Sequence, residues 1–312
     1  MGFWIDTEKG LLISIFIGVA VSVALVLIGD IGQVSSNLSR LSAPVILILV
    51  SLTFCNQLLR FVKWEYLRKK LGIAVGARAS FMIFFSGFVF SATPAKAGEL
   101  MKAYFLRKAS GTGLSKGVAL VIGERVSDVI GLTILAVIGL AGMFAHAETV
   151  AIFVILMGVG IFAVTSDRTF AKLLPLAGRF IGKGKAQKAE GLRQEMKVLF
   201  QKRTLFVSGA LSSVSWSSEC IALFLLLGYL GADVPLLSSF FIFSFSSIFG
   251  SLLVLPGGLG VAEGSFMALL LLSGASWSVS SAATIVIRIA TLWFGVCVGL
   301  VALAVAKKRR MF

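Results

Sequence analysis

Residues 234–263 read VPLLSSFFIFSFSSIFGSLLVLPGGLGVAE, an apolar stretch that is uncharged up to Glu263. Pro256 and the three glycines that follow it interrupt the stretch shortly before that glutamate. The stretch is long enough to cross the hydrocarbon core of a membrane as a helix. However, residues 255–260 (LPGGLG) cannot lie inside an uninterrupted helix, because proline removes a backbone hydrogen bond and glycine lowers helix stability. We therefore predict a helical hairpin that dips into the membrane and returns.

A second interrupted stretch lies upstream. The apolar run Ala79–Ala95 contains Pro94, and basic clusters flank the run at residues 60–78 and 96–116. Because basic residues favour the cytoplasmic side of a membrane, a full crossing would leave one cluster on the wrong side. A re-entrant hairpin resolves this conflict: its first limb ends at Pro94, and its second limb, from about Gly98 to Arg107, returns to the cytoplasm.

The composition of the whole chain excludes a soluble fold. Of 312 residues, 58% are hydrophobic and 14% are charged, and the mean hydropathy is +0.99. One soluble core of this size could not bury so much apolar surface. We predict an all-α polytopic membrane protein with about six transmembrane helices plus two re-entrant helical hairpins in an inverted-topology repeat. The predicted spans are residues 11–29, 41–62, 116–144, 149–166, 204–230 and 279–306.

The net charge of +15 comes mainly from basic clusters at the ends of the apolar runs. This distribution is typical of cytoplasmic loops that also attract anionic lipid headgroups. The sequence shows no basic face interleaved with aromatic residues, which is the pattern that would indicate nucleic-acid binding. With the basic clusters inside, we expect a multi-pass protein of the inner cell membrane whose N- and C-termini are cytoplasmic. The basic segment 167–203 is then a cytoplasmic loop with an interfacial amphipathic helix.

This topology divides the chain into four segments. They are an N-terminal membrane anchor helix and outer loop (1–40), a first repeat (41–146), a linking span and basic cytoplasmic loop (147–203), and a second repeat (204–312). Each repeat comprises a span, a hairpin and a span, in opposite orientations. Broken helices at matching positions of two repeats indicate a binding site near the middle of the membrane.

Seven charged residues fall in or against the predicted membrane-embedded segments. A charge that faces hydrocarbon costs at least about 2.5 kcal/mol, so each of them must face protein or water. They could form buried ion pairs that hold the helices in register, or line a hydrated cavity that binds a headgroup or protons, and both interpretations can hold together. The seven are Glu99, Glu124, Arg125, Asp128, Glu219, Glu263 and Arg288.

The helix breaks are a second candidate feature. A helix that begins just after Pro94 or Gly258 exposes unpaired N–H groups and a positive dipole end, which suit a phosphate. We expect Arg125 and Arg288 to add guanidinium contacts to that phosphate. Four carboxylates would contact hydroxyl or cationic parts of the headgroup, or carry protons: Glu99, Glu124, Asp128 and Glu263. Small residues at the breaks equally allow the two hairpin tips to approach closely: Gly98, Gly257, Gly258 and Gly260.

Signals for a cofactor are weak. The chain has no P-loop motif, its single histidine, His146, is predicted at the end of a span, and its three cysteines lie far apart. We therefore expect no metal, no cofactor, no catalytic residue and no ATPase activity. Any transport would be downhill or coupled to an ion.

Three motifs carry a family resemblance. They are Pro94-x-Lys96-x-Gly98-Glu99, Gly123-Glu124-Arg125-x-x-Asp128 and Pro256-Gly257-Gly258-Leu259-Gly260-x-x-Glu263. From about Leu41 to its C-terminus the chain resembles the transmembrane region of lysylphosphatidylglycerol synthase/flippase and its stand-alone relatives. The resemblance implies a flippase-like fold that moves an aminoacylated phospholipid or a polyprenyl-linked sugar between leaflets. It also implies that Lys96, where family members tend to have arginine, belongs to the substrate-binding residues.

The leading hypothesis is a flippase that moves a phosphate-bearing lipid through a polar intramembrane cavity. One alternative is an intramembrane lipid-modifying enzyme with Glu124 or Asp128 as general base. Another is a non-transporting partner of a lipid glycosyltransferase, or a small-solute carrier. The expected partners are a membrane lipid with an anionic phosphate and the bilayer itself, and the sequence leaves a lipid-modifying transferase and a homodimer open.

Overall fold

A computed structural model describes residues 20, 23, 27, 31–93, 97–143, 147–166, 185–252, 258–309 and 311–312. These residues form helices and no β-strand. The helices, numbered α1 to α11, are Ile31–Ser39, Ala43–Lys70, Ala77–Ser86, Met101–Ser110, Leu114–Met143, Ala147–Thr165, Lys185–Leu199, Lys202–Tyr229, Leu236–Leu252, Val261–Leu272 and Trp277–Lys308. Within the described residues, α2, α8 and α11 are long and apolar enough to cross a membrane. Helix α5 has 30 residues and α6 has 19.

Both stretches that were predicted to break are divided into two helices. Helix α3 continues as a 3₁₀ turn at Gly87–Ala92, and a second 3₁₀ turn at Ala97–Leu100 leads into α4. In the downstream stretch α9 ends at Leu252 and α10 begins at Val261. None of these four helices is long enough to cross about 30 Å of hydrocarbon. Pro94 and Pro256 lie outside the described residues.

The two halves of the chain follow the same order of helices. Helices α2 and α8 each have 28 residues, and the last helices of the two halves, α5 and α11, have 30 and 32. Helix α3 of the first half packs along α11 of the second, and α9 of the second half packs along α5 of the first. Helices α2 and α8 pack against each other. Each half therefore forms a wall for the other half's pair of short helices.

A polar layer separates two clusters of buried apolar residues. One cluster contains Trp64, Phe84 and Phe85, and the other contains Leu223 and Leu226. Between them, three long helices bury polar side chains, namely Thr53, Asn56, Gln57, Arg60 and Lys63 on α2, Glu124, Ser127 and Asp128 on α5, and Ser208, Ser212, Ser215 and Glu219 on α8. Buried polar and charged groups are costly unless they are paired, so this layer is the natural place to look for a site.

The structure differs from the sequence prediction near the N-terminus. The predicted outer loop before Arg40 is the helix α1, which packs on α11. Val34 is fully buried and Leu38 packs against the same apolar cluster. A spacing of four residues places both side chains on one helix face, which explains why this segment is helical. The predicted span 11–29 lies mostly outside the described residues.

Two further boundaries bear on the site. Helix α2 runs to Lys70, beyond its predicted end at Val62, so Lys63 lies within the helix instead of a loop, and both Arg60 and Lys63 are buried. Helix α7 lies in the predicted basic loop and packs on α5, while residues 167–184 of that loop lie outside the described residues.

The outer faces of the long helices are strongly apolar. Phe206 on α8 is 77% exposed and Val301 on α11 is 66% exposed. Large apolar side chains that are this exposed on helices of membrane-spanning length match a surface covered by lipid.

Candidate functional site

Glu124 and Asp128 on α5 form the centre of an ionic cluster. They lie one helical turn apart and share a face, and both are buried. Glu124 accepts hydrogen bonds from Lys102 Nζ at 2.8 Å and from Arg60 Nη2 at 3.3 Å. Arg125 Nη2 also lies 3.5 Å from the Glu124 carboxylate. The cluster therefore joins α2 and α4 to α5.

Asp128 extends the cluster to α8. Its carboxylate accepts hydrogen bonds from Lys63, from Ser212 Oγ at 2.8 Å and from Trp216 Nε1 at 2.9 Å. Arg60 Nη2 lies 3.4 Å from its other oxygen. With this many donors, Asp128 fixes three helices relative to one another and has little capacity left for a ligand.

Lys102 is a fully buried cation on the second limb of the first pair of short helices. Its ammonium lies 5.4 Å from the ring centre of Trp64 and 5.0 Å from that of Phe84, close enough for cation–π attraction. It also forms ion pairs with Glu99 at 3.3 Å and Glu124 at 2.8 Å. A side chain at Gly87 would overlap the carbon atoms of Lys102, so glycine there makes room for this lysine.

Each half of the chain contains one glutamate–arginine pair in an equivalent place. Arg125 Nη2 on α5 donates to Glu99, and Arg288 Nε on α11 donates to Glu263 Oε1 at 2.6 Å. The two partners are 26 residues apart in the first pair and 25 in the second. Arg288 immediately precedes a π-helical turn at Ile289–Trp293. Such turns occur frequently at functional sites.

Glu263 also occupies the beginning of α10. Its Oε2 accepts a hydrogen bond from the backbone N–H of Gly260 at 2.7 Å, so the positive end of this helix is met by a carboxylate of the same chain. The expectation that this helix end binds phosphate is therefore corrected: in this structure Glu263 holds that position.

The described glycines of the second break serve the turn. Gly258 has φ +68°, and a Cβ atom there would lie 2.5 Å from the carbonyl oxygen of Gly250. Gly260 has φ +87°. Both conformations are left-handed and favour glycine, and the contact with Gly250 brings α9 and α10 close together. This contact lies within the second pair of short helices, so the close approach of the two hairpin tips to each other stays a prediction.

A cavity of about 100 Å³ lies between the two pairs of short helices. Three arginines line it, one on each of α2, α5 and α11: Arg60, Arg125 and Arg288. Two acids, Glu99 and Glu219, also line it. The volume is sufficient for several water molecules or a small anionic group.

Several buried polar atoms at this cavity have no hydrogen-bond partner within the described part of the chain. They are Arg60 Nε, Arg125 Nε and Gln57 Oε1. The Arg60 guanidinium also lies between the rings of Phe88, at 5.3 Å, and Trp216, at 5.0 Å. An unsatisfied buried polar group costs about 1–3 kcal/mol, so these atoms indicate that water or a polar ligand occupies the cavity.

The structure brings most of the predicted site residues to one region but not to one surface. Glu99, Arg125, Glu219 and Arg288 line the cavity. Glu124 and Asp128 lie in the ionic cluster, and Glu263 holds Arg288. Gly98 lies in the 3₁₀ turn at Ala97–Leu100. Lys96 and Gly257 lie outside the described residues.

Sequence reasoning missed Arg60, Lys63 and Lys102. The first two were interpreted as part of a cytoplasmic basic cluster, yet their spacing with Trp64 and Leu67 places them on one helix face with buried apolar residues. Lys102 follows Glu99 by three residues, a spacing that favours an ion pair on a helix. These spacings were the available signals.

Comparisons with known proteins agree with this architecture. A family model described as the lysylphosphatidylglycerol synthase TM region matches residues 15–299. The chain is 27% identical over 322 residues to a UPF0104 membrane protein of Methanothermobacter thermautotrophicus, with 95% of each chain covered. It is 25% identical over 326 residues to a UPF0104 membrane protein of Pyrococcus horikoshii, with 95% of this chain and 97% of the relative covered. The family resemblance inferred from the motifs is thereby confirmed.

Proposed function

Because this chain belongs to the family of the lysylphosphatidylglycerol synthase transmembrane region, we propose that it is a lipid translocase. It moves a phosphate-bearing lipid, an aminoacylated phospholipid or a polyprenyl-linked sugar, between leaflets. The headgroup passes through the polar cavity while the acyl chains stay in the bilayer. Three observations support this role: the similarity to membrane proteins, the apolar outer surface of the long helices and the charged side chains that line the cavity.

One observation carries the proposal: three arginines from three helices line one small buried cavity. Arg60, Arg125 and Arg288 outnumber the two acids there, Glu99 and Glu219. Guanidinium groups bind phosphate oxygens through paired, charge-assisted hydrogen bonds, which makes a phosphate the best-matched ligand. The unpartnered Nε atoms of Arg60 and Arg125 are donors that such a ligand would satisfy.

The two glutamate–arginine pairs suggest how binding leads to movement. In this structure Glu99 pairs with Arg125 and Glu263 pairs with Arg288. A phosphate competes with the carboxylates for both arginines. Since each glutamate lies on a short helix and each arginine on a long one, this competition weakens the contact between them. The short helices are then free to rearrange around the bound headgroup.

The proposal includes an inverted-topology repeat of residues 41–146 and 204–312, joined by residues 147–203, with residues 1–40 as an anchor segment. Matching helix lengths, exchanged packing and the equivalent ion pairs support it. Helices α3–α4 and α9–α10 are two re-entrant hairpins that enter from opposite sides. Rocking of one repeat against the other gives alternating access. With the basic clusters inside, the protein lies in the inner membrane with both termini cytoplasmic.

Lipid flipping in proteoliposomes tests the function. Fluorescent NBD-phosphatidylglycerol in the inner leaflet is protected from dithionite until the protein moves it outward. We expect Arg125→Gln and Arg288→Gln to slow flipping roughly tenfold or more, because each removes a charge-assisted contact. Arg107→Gln is the matched control, since Arg107 is exposed on α4. Wild-type rates in both cavity variants would contradict the proposal, and a wild type that does not flip but co-purifies with a lipid transferase would favour the partner-subunit hypothesis.

Cysteine labelling tests the hairpins. In a background without native cysteines, single cysteines replace the exposed residues Lys70 and Lys108, which flank the first hairpin, and Asp233 and Ser276, which flank the second. A membrane-impermeant maleimide should label the first two from one side and the last two from the other. If the cysteines at positions 70 and 108 are labelled from opposite sides, the segment between them crosses the membrane completely and is not re-entrant.

The enzyme alternative gains no support from the geometry. Its candidate bases, Glu124 and Asp128, are each engaged by more than one cation and do not line the cavity. A general base must reach the proton that it removes.

A further inference from the structure

We infer that Glu219 is a proton-binding site that couples lipid movement to proton movement, an inference that rests on the proposed translocase function. Glu219 lies on α8, is 2% exposed and lines the cavity. Thr53 Oγ1 on α2 donates a hydrogen bond to its Oε2 at 3.2 Å. Neither the ionic cluster nor the two glutamate–arginine pairs uses this side chain.

Glu219 differs from the other acids of the polar layer in what surrounds it. Glu99, Glu124, Asp128 and Glu263 each form an ion pair with at least one lysine or arginine. Among the described residues, no lysine or arginine nitrogen lies within 4.0 Å of the Glu219 carboxylate. Its carboxyl group is therefore held by a neutral hydroxyl alone.

The charged groups that share the cavity with Glu219, or lie in the ionic cluster beside it, come from four parts of the chain, whereas the lining residues from α9 and α10 are uncharged. These charged groups are Arg60 on α2, Glu99 before α4, Glu124, Arg125 and Asp128 on α5, and Arg288 on α11. The other titratable neighbour on α8 is Cys220, whose thiol faces Ser244 of α9 at 3.8 Å. Lys63 and Lys102 pair with Asp128 and Glu124 and do not line the cavity, so the positive groups that line it are Arg60, Arg125 and Arg288.

A buried carboxyl group can be neutral or ionised. The neutral form is stable without a cation nearby, whereas the ionised form needs a cation to offset the cost of burying its charge. When the cavity is empty, the three arginines can stabilise the ionised form of Glu219. When a phosphate occupies the cavity, it uses those arginines and adds a negative charge nearby. Phosphate binding and protonation of Glu219 therefore favour each other, and by linkage each strengthens the other by the same factor.

The coupled step is balanced with one proton for each lipid. The Glu219 carboxylate takes up one proton from the solution on the side where the phosphate enters, and the carboxylic acid releases it to the solution on the other side as the phosphate leaves. Lipid and proton thus move in the same direction. For a lipid with one negative charge the combined movement is electroneutral.

A pH gradient across proteoliposomes tests this coupling. With NBD-phosphatidylglycerol as the probe, one proton per lipid predicts that one pH unit shifts the leaflet ratio roughly tenfold towards the alkaline side, because a tenfold ratio corresponds to about 1.4 kcal/mol. Glu219→Gln should still flip the probe but leave both leaflets equally populated under the gradient. Glu219→Asp should retain the shift. Glu190→Gln, at an exposed residue of α7, is the matched control and should behave as wild type.

A second measurement on the wild type does not depend on any variant folding. A pH dye trapped inside the vesicles should report proton entry when an excess of anionic lipid is added to the outer leaflet and moves inward. Flipping with no proton flux and no gradient-driven shift would overturn the inference while leaving the translocase function intact. An unaltered shift in Glu219→Gln would also overturn it. Absence of any flipping by the wild type would instead refute the proposed function.

Discussion

Replacing Asp128 by asparagine removes one charge from the ionic cluster and leaves the side-chain shape unchanged. Lys63 is fully buried, and besides Asp128 its ammonium contacts Ser212 Oγ at 3.3 Å and the Glu124 carbonyl oxygen at 3.4 Å. After the substitution Lys63 keeps only neutral acceptors. Breaking a buried ion pair from one side costs about 3–5 kcal/mol. For a chain of this size, about 2 °C per kcal/mol gives a melting temperature lower by roughly 6–10 °C.

Thermal unfolding in detergent micelles, followed by tryptophan fluorescence, measures this loss. The double variant Lys63→Met/Asp128→Asn removes both charges and should recover most of the stability, because the cost comes from the uncompensated ammonium. Asp233→Asn is the control, since Asp233 is exposed between α8 and α9. The reasoning is refuted if Asp128→Asn melts within about 1 °C of the wild type, or if the double variant is no more stable than the single one.

Two glycine substitutions test the packing around the cavity. Gly258→Ala should lower the melting temperature, because a left-handed φ of +68° and a Cβ atom 2.5 Å from the Gly250 carbonyl oxygen together cost at least about 1–3 kcal/mol. Gly264→Ala in α10, where a Cβ meets nothing within 4 Å, should leave it unchanged or raise it. Gly299→Ala would place a Cβ atom 2.6 Å from the Val89 backbone nitrogen. It should lower the melting temperature and slow flipping together, and a variant with normal values for both would show that α11 and the first hairpin do not need this close contact.

The helical class and the helix breaks follow from local sequence. Uncharged runs of membrane-spanning length cannot be covered by a soluble core, and the residues around Pro94 and Pro256 cannot continue a helix. Four predicted spans, residues 116–144, 149–166, 204–230 and 279–306, therefore correspond to observed helices within a few residues. The span 11–29 lies mostly outside the described residues, and the span 41–62 is shorter than α2. That helix continues past Val62 because Arg60 and Lys63 find carboxylates on α5, a partner that residues near them in the sequence do not supply.

The candidate site was only partly predictable. An intramembrane charge signals that a partner exists, and on this basis the sequence selected Glu99, Arg125, Glu219 and Arg288, which the structure places at one cavity. Their role as substrate-binding residues stays a prediction. The signal does not identify the partner. Whether a given acid contacts a ligand, a cation or a helix end depends on which helices pack together, as Glu263 shows by capping α10.

The sequence by itself determined that this chain is a helical membrane protein, that two of its apolar segments break, and which family it belongs to, because hydropathy, proline and glycine act locally along the chain. Only the tertiary structure decided that Arg60 joins Arg125 and Arg288 at one cavity and that Lys63 and Lys102 are buried. It also decided that Glu219 accepts a hydrogen bond from a hydroxyl, with no lysine or arginine of the described residues within 4.0 Å. The physical reason is that the energy of a buried charge depends on neighbours brought within a few ångströms by folding, most of them distant in sequence.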